Sequence, residues 1–332
     1  MLRISLTIVA CLLLLTFAVL GYGWQQLHQS RVDAAPVVVD IPRGASFRSL
    51  TAQLQDADVI GHSLPFLVWG RISGLAANVK AGEYEFTPGT TPAQALQQIV
   101  DGRVRLYSLT ILEGWTLSRV LAVLRDRSEL RHTLDEVDPQ TLLSDLGLGE
   151  GHAEGWFFPD TYVFARGTTD AEILRRANQR MQRELEQAWA SRDVGLQIED
   201  PYEALILASV IEKETGRADE RAKVSQVFHR RLALGMRLQT DPTVIYGYGD
   251  DFDGRLTRRL LHADHPYNTY TRTGLPPTPI AMPGRAALQA AVQPADTEYL
   301  FFVARGDGSS FFSRDYDTHR AAVRRYQLGL ED

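Results

Sequence analysis

The sequence contains one cysteine, Cys11, among its 332 residues. A single thiol excludes an internal disulfide framework and a thiolate zinc site. The chain also lacks any extended block of like charges, because 35 basic and 41 acidic residues are interspersed, with a net charge of −6. This distribution is typical of a solvated surface, so we expect no nucleic-acid partner. The hydrophobic content of 44% is still enough for one large domain or two smaller ones.

One long hydrophobic run is present, ISLTIVACLLLLTFAVLGYGW, from Ile4 to Trp24. It carries no charged residue, and at about 1.5 Å per residue a helix of this length crosses a hydrocarbon core of roughly 30 Å. Arg3 precedes the run, and Tyr22 and Trp24 lie where an aromatic belt would be. The pattern predicts a single-pass anchor over residues 4–24, with residues 1–3 cytoplasmic and the rest outside the cytoplasm.

Two other interpretations of this run are weaker. A cleavable signal peptide needs a shorter apolar core closely followed by small residues, and the best site, VDA before Ala35, lies too far away. The sequence IVAC, ending at Cys11, is similar to a lipoprotein cleavage site. Cleavage there would leave LLLLTFAVL as the mature start, with almost no apolar core before it. A retained anchor fits the run better than either.

Residues 25–36 are polar and are predicted to form a stalk. Three later segments share one pattern, in which a short β-branched strand is followed by a glycine turn, a Ser or Thr cap and an amphipathic helix. The segments are VVVDIPRGASFRSLTAQL, YEFTPGTTPAQALQQIV and LTILEGWTLSRVLAVL. They predict a small α+β module, although such junctions are also common in unrelated folds.

The stretch ALILASVIEKETG, Ala204–Gly216, reads as a buried helix that ends on two acids. Asp200 is the predicted N-cap, with Pro201 in the first turn and Glu203 completing a capping box. Except for Ser209, every residue from Ala204 to Ile211 is apolar, which indicates burial on most sides. Gly216 is the predicted residue after the C-cap.

Glu212 and Glu214 lie on different faces of this helix. A carboxyl group beside apolar packing at a helix C-terminus should have a raised pKa, as a general acid at neutral pH requires. The alternative is that both acids are solvated, with Lys213 or Arg217 as partners. Periodicity does not choose between the two glutamates.

Two long loop segments rich in Pro, Gly, Tyr, Asn and Thr follow, MRLQTDPTVIYGYG and HPYNTYTRTGLPPTPIAMPG. Loops of this length in a compact domain are usually functional. Their aromatic, amide and hydroxyl groups suit a sugar-binding groove. DDFDG, Asp250–Gly254, lacks most ligands of a calcium loop and is predicted to be a surface turn.

Four motifs in this order resemble those of the YceG-like endolytic murein transglycosylases. They are ASVIEKET, MRLQTDPTVIYG, PYNTYTRTGLPPTPIAMPG and a terminal FFS…H, and the resemblance extends over EGWFFPDTYVF and essentially everything after the anchor. It implies an α+β fold with a LysM-like module over 37–106 and a YceG-like region over 107–332, whose catalytic part begins near residue 195.

The resemblance also implies a function. The expected protein is held in the inner membrane by residues 4–24 and cleaves the bond between MurNAc and GlcNAc in nascent peptidoglycan strands, from the periplasm. The products are 1,6-anhydroMurNAc ends, no cofactor or metal is needed, and peptidoglycan synthases of the elongation machinery are expected partners. The catalytic glutamate is the first acid of E-K-E-T, here Glu212.

Other residues are expected to have lesser roles. The expected substrate contacts are Gln239, Thr240, Asp241, Tyr267, Asn268, Thr269 and Tyr270, and the expected supporting residues are Ser209, Glu214 and His319. For Asp241 the alternative is a turn residue before Pro242, and for a tyrosine it is core packing. Ser310 and Arg320 depart from the family pattern, in which histidine and asparagine are common, so catalytic groups are not expected from the C-terminal segment.

Two competing functions remain open. A hydrolase acting on the same glycan would need a positioned water and a base, for which Glu214 or Asp241 could serve. A non-catalytic, anchored peptidoglycan binder that recruits synthases would not need Glu212 at all.

Overall fold

The computed structural model describes residues 2–134 and 136–330. Met1, in the predicted cytoplasmic end, and residues 331–332, in the predicted catalytic region, lie outside them. The described helices are α1 Leu2–His28, α2 Phe47–Asp56, α3 Ser63–Ile72, α4 Pro92–Asp101, α5 Leu117–Arg125, α6 Leu142–Asp145, α7 Asp170–Ala190, α8 Pro201–Glu214, α9 Arg221–Ala233, α10 Asp241–Tyr248, α11 Arg258–His262, α12 Arg285–Val292 and α13 Tyr316–Gln327.

The described strands form three two-stranded sheets, β1 with β2, β3 with β4 and β5 with β6. Both β1–β2 and β5–β6 are antiparallel, with Val39 opposite Tyr84 in the first and Phe302 opposite Phe312 in the second. The strands are β1 Val37–Ile41, β2 Gly82–Phe86, β3 Leu106–Thr110, β4 Thr161–Ala165, β5 Phe301–Ala304 and β6 Ser310–Ser313. Short sheets among many helices confirm the predicted α+β class.

The chain divides into two units. The first consists of residues up to Tyr107 together with Val163–Gly167, and the second consists of Ser108–Tyr162 and Thr168 onward. The core of the first unit packs side chains of β1 and β2 against α2, α3 and α4, with Tyr84 and Phe86 fully buried. Burial of this apolar surface is the main force that holds these short elements together.

The repeated strand–glycine–cap–helix pattern is present in all three predicted segments. Gly44, Gly89 and Gly114 have φ of 81°, 89° and 74°, a left-handed conformation that glycine adopts at little cost. After each turn a hydroxyl group accepts a hydrogen bond from the first turn of the next helix, and the caps are Ser46, Thr91 and Thr116. Each junction therefore starts α2, α4 or α5 immediately after a strand.

Residues 25–36 do not form a separate stalk. Helix α1 continues to His28, and the side chains of Leu27 and Val32 are buried in the core of the first unit. Leu27 and Val32 are isolated apolar residues in a polar stretch and form no periodic pattern, so their burial could not be predicted from the sequence. Among the described residues one helix, over Leu6–His28, is long and apolar enough to cross a membrane, and none of its most apolar stretch is buried.

Helix α8 is the centre of the second unit. Every residue from Ala204 to Ile211 is buried, as predicted, against side chains of α7, α9 and α12. Asp200 caps the helix by accepting from Glu203 N at 2.9 Å, but the predicted capping box is wrong. The Glu203 carboxylate instead accepts from Glu199 N at 2.6 Å, because the chain before the cap folds back toward it.

Gly216 lies at the predicted position after the C-cap of α8, but without the left-handed backbone that is usual there. Thr215 is the C-cap, with an extended backbone at φ −143° and ψ 128°, and Gly216 is not among the residues with positive φ. The chain therefore leaves the helix in an extended conformation. The DDFDG segment lies at a 3-10 turn over Gly249–Asp251 followed by a bend, in keeping with the predicted turn.

Candidate active site

The C-terminal turn of α8 presents Glu212, Lys213 and Glu214 in three different directions. Successive residues of an α-helix are rotated by about 100°, so the two glutamates are about 200° apart around the axis. Because α8 is buried on most sides, each side chain meets a different part of the second unit. The surroundings of the three side chains therefore differ in kind.

Glu212 faces the loop that precedes α12. Its Oε2 accepts a hydrogen bond from Gly284 N at 2.9 Å, and its Oε1 lies 3.7 Å from a nitrogen of Arg221. The side chain is only 6% exposed. Burial raises the pKa of Glu212, and the charge of Glu113 adds to this, while Gly284 N–H, Arg221 and Lys213 oppose it. Glu212 thus anchors the N-terminus of α12 to the end of α8.

Lys213 holds a second glycine turn. Its Nζ donates to Gly114 O at 3.2 Å, in the EGW turn before α5. The same turn is tied to the AMPG loop, because Gly114 N donates to Met282 O at 2.9 Å and Met282 N donates to Trp115 O at 2.7 Å. Glu212 and Lys213 therefore fasten two neighbouring loops to α8.

Glu214 points the other way, toward the loop before α10. The hydroxyl of Thr240 donates to Glu214 Oε1. Burial raises the pKa of Glu214 to about 7, and the charge of Asp241 raises it further, while the Thr240 hydrogen bond and Arg231 oppose the shift. At neutral pH about half of these carboxyl groups carry a proton, which is the state that a general acid needs.

A cleft of about 420 Å³ opens beside Glu214. It brings together five of the residues predicted from sequence, which are Glu214, Gln239, Asp241, Tyr270 and His319. The Tyr270 hydroxyl donates to Asp241 Oδ1, so an acid, a carboxylate, a phenol and an amide surround one space. Glu212 is not among the residues that line this cleft.

Gln239 reaches the cleft through a strained backbone. Its φ is 50°, one of two positive values among the described non-glycine residues, and such conformations cost about 1–3 kcal/mol. The strain is held by Thr269, whose carbonyl accepts from Gln239 N at 3.1 Å and whose hydroxyl accepts from Thr240 N at 3.1 Å. Thr240 and Thr269, both buried, therefore set the position of this loop.

The remaining predicted site residues lie outside the cleft. Asn268 is 1% exposed and its amide donates to Leu260 O, Leu261 O and Ala263 O, so it closes the end of α11. The Tyr267 hydroxyl is within 2.7 Å of Thr278 Oγ1. Ser209 is fully buried in α8, and its hydroxyl accepts from Ile280 N at 3.0 Å. These contacts support the shape of the second unit.

The C-terminal hairpin and α13 supply one wall of the cleft. The His319 ring stacks on Phe301, with centroids 5.0 Å apart. Burial lowers the pKa of His319 and the charge of Arg231 adds to this, which favours the neutral form of the imidazole. Ser310 also lines the cleft, whereas Arg320 is exposed and pairs with Asp317 at 3.6 Å.

Two buried ionisable groups of the second unit were not predicted. Arg231, on α9, lines the cleft and donates to Leu238 O at 2.7 Å and Leu300 O at 2.8 Å. Glu154, in the EGWFFPD motif, is 2% exposed and accepts from Leu117 N at 2.9 Å and from the Tyr246 hydroxyl at 3.1 Å. Burial raises the pKa of Glu154 to about 7. The only feature of the sequence that could have identified Glu154 was its position in the EGWFFPDTYVF motif.

The described residues contain no group of three or more His, Cys, Asp or Glu side chains that could hold a metal ion. The side chains that line the cleft can transfer a proton and stabilise charge. This is the repertoire of an acid-catalysed cleavage of a neutral polymer.

The chain is similar in sequence to a known protein family and to several known proteins. The sequence profile of the YceG-like family matches residues 39–325. An endolytic murein transglycosylase of Bacillus subtilis is 29% identical over 92% of this chain and 89% of its own length. An endolytic murein transglycosylase of Streptococcus pneumoniae strain D39 is 24% identical over 92% of this chain, which spans only 62% of that longer relative.

A solved structure agrees with these matches. The crystal structure of a yceG-like protein, lmo1499, from Listeria monocytogenes superposes with a TM-score of 0.52 at 28% identity. The superposition covers 86% of this chain and 98% of that one. The profile match, which spans most of the chain, and this fold lead to one conclusion. The protein belongs to the YceG-like family.

Proposed function

We propose that this protein is an endolytic murein transglycosylase that cuts the MurNAc-β-1,4-GlcNAc bond within peptidoglycan strands. The observation that carries the proposal is the carboxyl group of Glu214 in a polar cleft lined by Gln239, Asp241 and Tyr270, where burial raises its pKa to about 7. The activity of the relatives in Bacillus and Streptococcus, as their names give it, supports the same assignment.

Glu214 is the acid that the geometry favours. The family resemblance assigned this role to Glu212, whose carboxylate is engaged by Gly284 N and Arg221 on another side of α8. Glu214 has the properties that a general acid needs, because its pKa is about 7 and it borders a space large enough for a sugar. The two assignments predict different inactive variants, Glu214→Gln in the first case and Glu212→Gln in the second.

One carboxyl group suffices for this reaction. Glu214 gives its proton to the glycosidic oxygen, and the bond between that oxygen and C1 of MurNAc breaks. The resulting carboxylate takes the proton from the C6 hydroxyl of the same sugar, and the C6 oxygen bonds to C1. The products are a 1,6-anhydroMurNAc end and a free GlcNAc hydroxyl, with no water consumed. Asp241 supplies negative charge beside the positive charge that develops at C1.

A hydrolase is the alternative reaction at the same cleft, with Asp241 activating a water molecule. Mass spectrometry of the products of purified glycan strands separates the two. Anhydro ends are expected from the full-length protein, whereas reducing MurNAc ends would mean hydrolysis. No new ends of either kind would favour a non-catalytic binder.

The first unit supports a role in placing the enzyme. Residues 37–106 include two strands around two helices in the order β1, α2, α3 and β2, which is compatible with the proposed LysM-like glycan-binding module. Helix α1 would anchor the chain in the inner membrane with the N-terminus cytoplasmic and the catalytic region periplasmic. Cleavage of nascent strands would then limit strand length beside peptidoglycan synthases.

We expect the activity to fall as the pH rises above about 7. The acid step needs the protonated form of Glu214, whose pKa is raised to about 7. Above that pH the protonated fraction, and with it kcat/KM, decreases about tenfold per pH unit. Measuring the release of anhydro ends from pH 5 to 9 gives the apparent pKa, and a flat profile would contradict this role.

Thr240→Val tests whether Glu214 is the titrating group. The Thr240 hydrogen bond lowers the pKa of Glu214, so its loss should raise that pKa and move the alkaline limb to higher pH. Glu212→Gln is the matched control, because Glu212 is also a buried acid with a raised pKa but lies elsewhere. An inactive Glu212→Gln, together with an alkaline limb that Thr240→Val leaves in place, would point to Glu212.

A further inference from the structure

Helix α3 of the first unit has an exposed apolar face. Leu64, Val68 and Ile72 are spaced four residues apart and are 70%, 47% and 82% exposed. Residues at this spacing share one side of a helix. The helix has the sequence SLPFLVWGRI, with no acidic residue and one basic residue, Arg71. Large apolar side chains arranged in this way usually mark an interaction site.

This face continues the surface of α1. One groove of about 630 Å³ is lined from α1 by Val19, Leu20 and Trp24 and from α3 by Leu64, Val68 and Ile72, among others. The Tyr22 and His62 rings, one from each side, have centroids 6.0 Å apart. Val19 and Leu20 belong to the apolar run that is long enough to cross a bilayer. Because Val19 and Leu20 line the same groove as the exposed face of α3, the medium that surrounds these two residues also contacts that face.

The two helices cannot separate easily. Helix α1 runs without interruption to His28, and Leu27 near its end is buried in the core of the first unit. On its opposite side α3 buries Phe66 in the same core. From Val19 to Leu27 the helix rises by about 12 Å, since each residue adds about 1.5 Å. The exposed face of α3 thus lies within the depth of a membrane interface.

We propose that α3 is an interfacial membrane helix, with Leu64, Val68 and Ile72 immersed in lipid beside α1. Amphipathic helices of this kind insert their apolar side about 5–10 Å into the boundary between headgroups and acyl chains. Acyl chains fill the groove, and Arg71 meets the anionic headgroups. The inference rests on the proposed membrane anchor, which it extends by giving the first unit a second, independent contact with the bilayer.

Depth-dependent fluorescence quenching tests this with the full-length chain, one molecule per nanodisc of phosphatidylethanolamine and phosphatidylglycerol. One sample carries an environment-sensitive fluorophore on Cys11, the single cysteine, which lies in α1. A second sample carries it at position 72, in a Cys11→Ser, Ile72→Cys variant. Doxyl groups on carbon 5 or carbon 12 of the lipid chains report shallow and deep positions, and iodide reports exposure to water.

The expected result is that the probe at position 72 is quenched several-fold more by the carbon 5 doxyl lipid than by iodide. The probe on Cys11 should respond most to the carbon 12 doxyl lipid. If the Cys11 probe responds in this way but the probe at 72 is quenched by iodide alone, the interfacial helix is wrong and the anchor stands. If the Cys11 probe is not quenched by lipid, the anchor itself fails.

A second variant guards against disturbance by the fluorophore. Leu64→Ser with Val68→Ser removes exposed apolar groups that the core of the first unit does not use. The lipid quenching at position 72 should fall at least twofold in this background, while the Cys11 signal stays unchanged. Lipid quenching at 72 that is the same with and without these side chains would overturn the proposal.

Discussion

Glu214→Gln is expected to reduce the release of anhydroMurNAc ends by about 10²- to 10⁴-fold, which is the usual contribution of a general acid. Glutamine keeps the size of the side chain and can still accept from the Thr240 hydroxyl, but it cannot donate a proton to the glycosidic oxygen. The full-length variant should fold normally, because the substitution keeps the hydrogen bond from Thr240, and a carboxyl group with a pKa near 7 contributes little as a charge. Single-turnover assays on purified glycan strands, read by mass spectrometry, give the rate.

Glu212→Gln is the matched control, since it makes the same chemical change two residues away. It removes an ion pair with Arg221 at 3.7 Å, but the amide oxygen can still accept from Gly284 N. Removing one partner of a buried ion pair can cost about 3–5 kcal/mol of folding stability, but the pair takes no part in the proposed chemistry, so we expect the activity of the folded variant to fall by less than about tenfold. The reverse result, an inactive Glu212→Gln and an active Glu214→Gln, would return the catalytic role to Glu212. Full activity of both would remove the α8 glutamates from the chemistry.

Gly155→Ala should have the largest effect on stability. Gly155 has φ of 84°, and an added Cβ would lie 2.5 Å from Pro279 Cβ and 2.7 Å from Pro279 Cγ. The left-handed conformation costs an alanine about 1–2 kcal/mol, and overpacking against a rigid ring costs about 1–3 kcal/mol more. For a unit of this size the sum should lower Tm by on the order of 10 °C. Thermal unfolding followed by circular dichroism measures the shift.

Gly147→Ala separates the conformational cost of the left-handed backbone from the cost of the contact with Pro279. Gly147 also has positive φ, at 70°, but an added Cβ would meet no atom within 4 Å. Its substitution should therefore lower Tm by the conformational part alone. Equal shifts for both variants would mean that the contact with Pro279 is easily relieved. A Gly155→Ala protein as stable as the wild type would show that the EGWFFPD and PTPIAMPG segments are not packed as described.

Local sequence patterns predicted local structure well. The burial of Ala204–Ile211 and the three glycine turns with their hydroxyl caps follow from the periodicity of side chains and from the conformational freedom of glycine. The α+β class followed from the same signals. These features depend on residues that are neighbours in the chain, so a sequence contains what is needed to infer them.

The roles of Glu212 and Glu214 could not be predicted in the same way. Their surroundings are set by Gly284 and Thr240, which lie 72 and 26 residues further along the chain. The spacing of the two glutamates along the helix gives the angle between their side chains, but it does not tell which side chain faces the cleft. The predicted stalk over residues 25–36 differs from the structure for a related reason. The packing of Leu27 and Val32 depends on strands that are distant in the sequence. The left-handed Gln239 is likewise imposed by Thr269.

The angular arrangement at the end of α8 has a consequence for how this segment can evolve. Each of Glu212, Lys213 and Glu214 has a separate task because each points about 100° away from the next. A conservative change in the apolar run before them alters only packing. Deletion or insertion of one residue there would turn all three side chains by about 100°, so that no group kept its partner. We therefore expect natural variants of this segment to differ in composition and to keep its length.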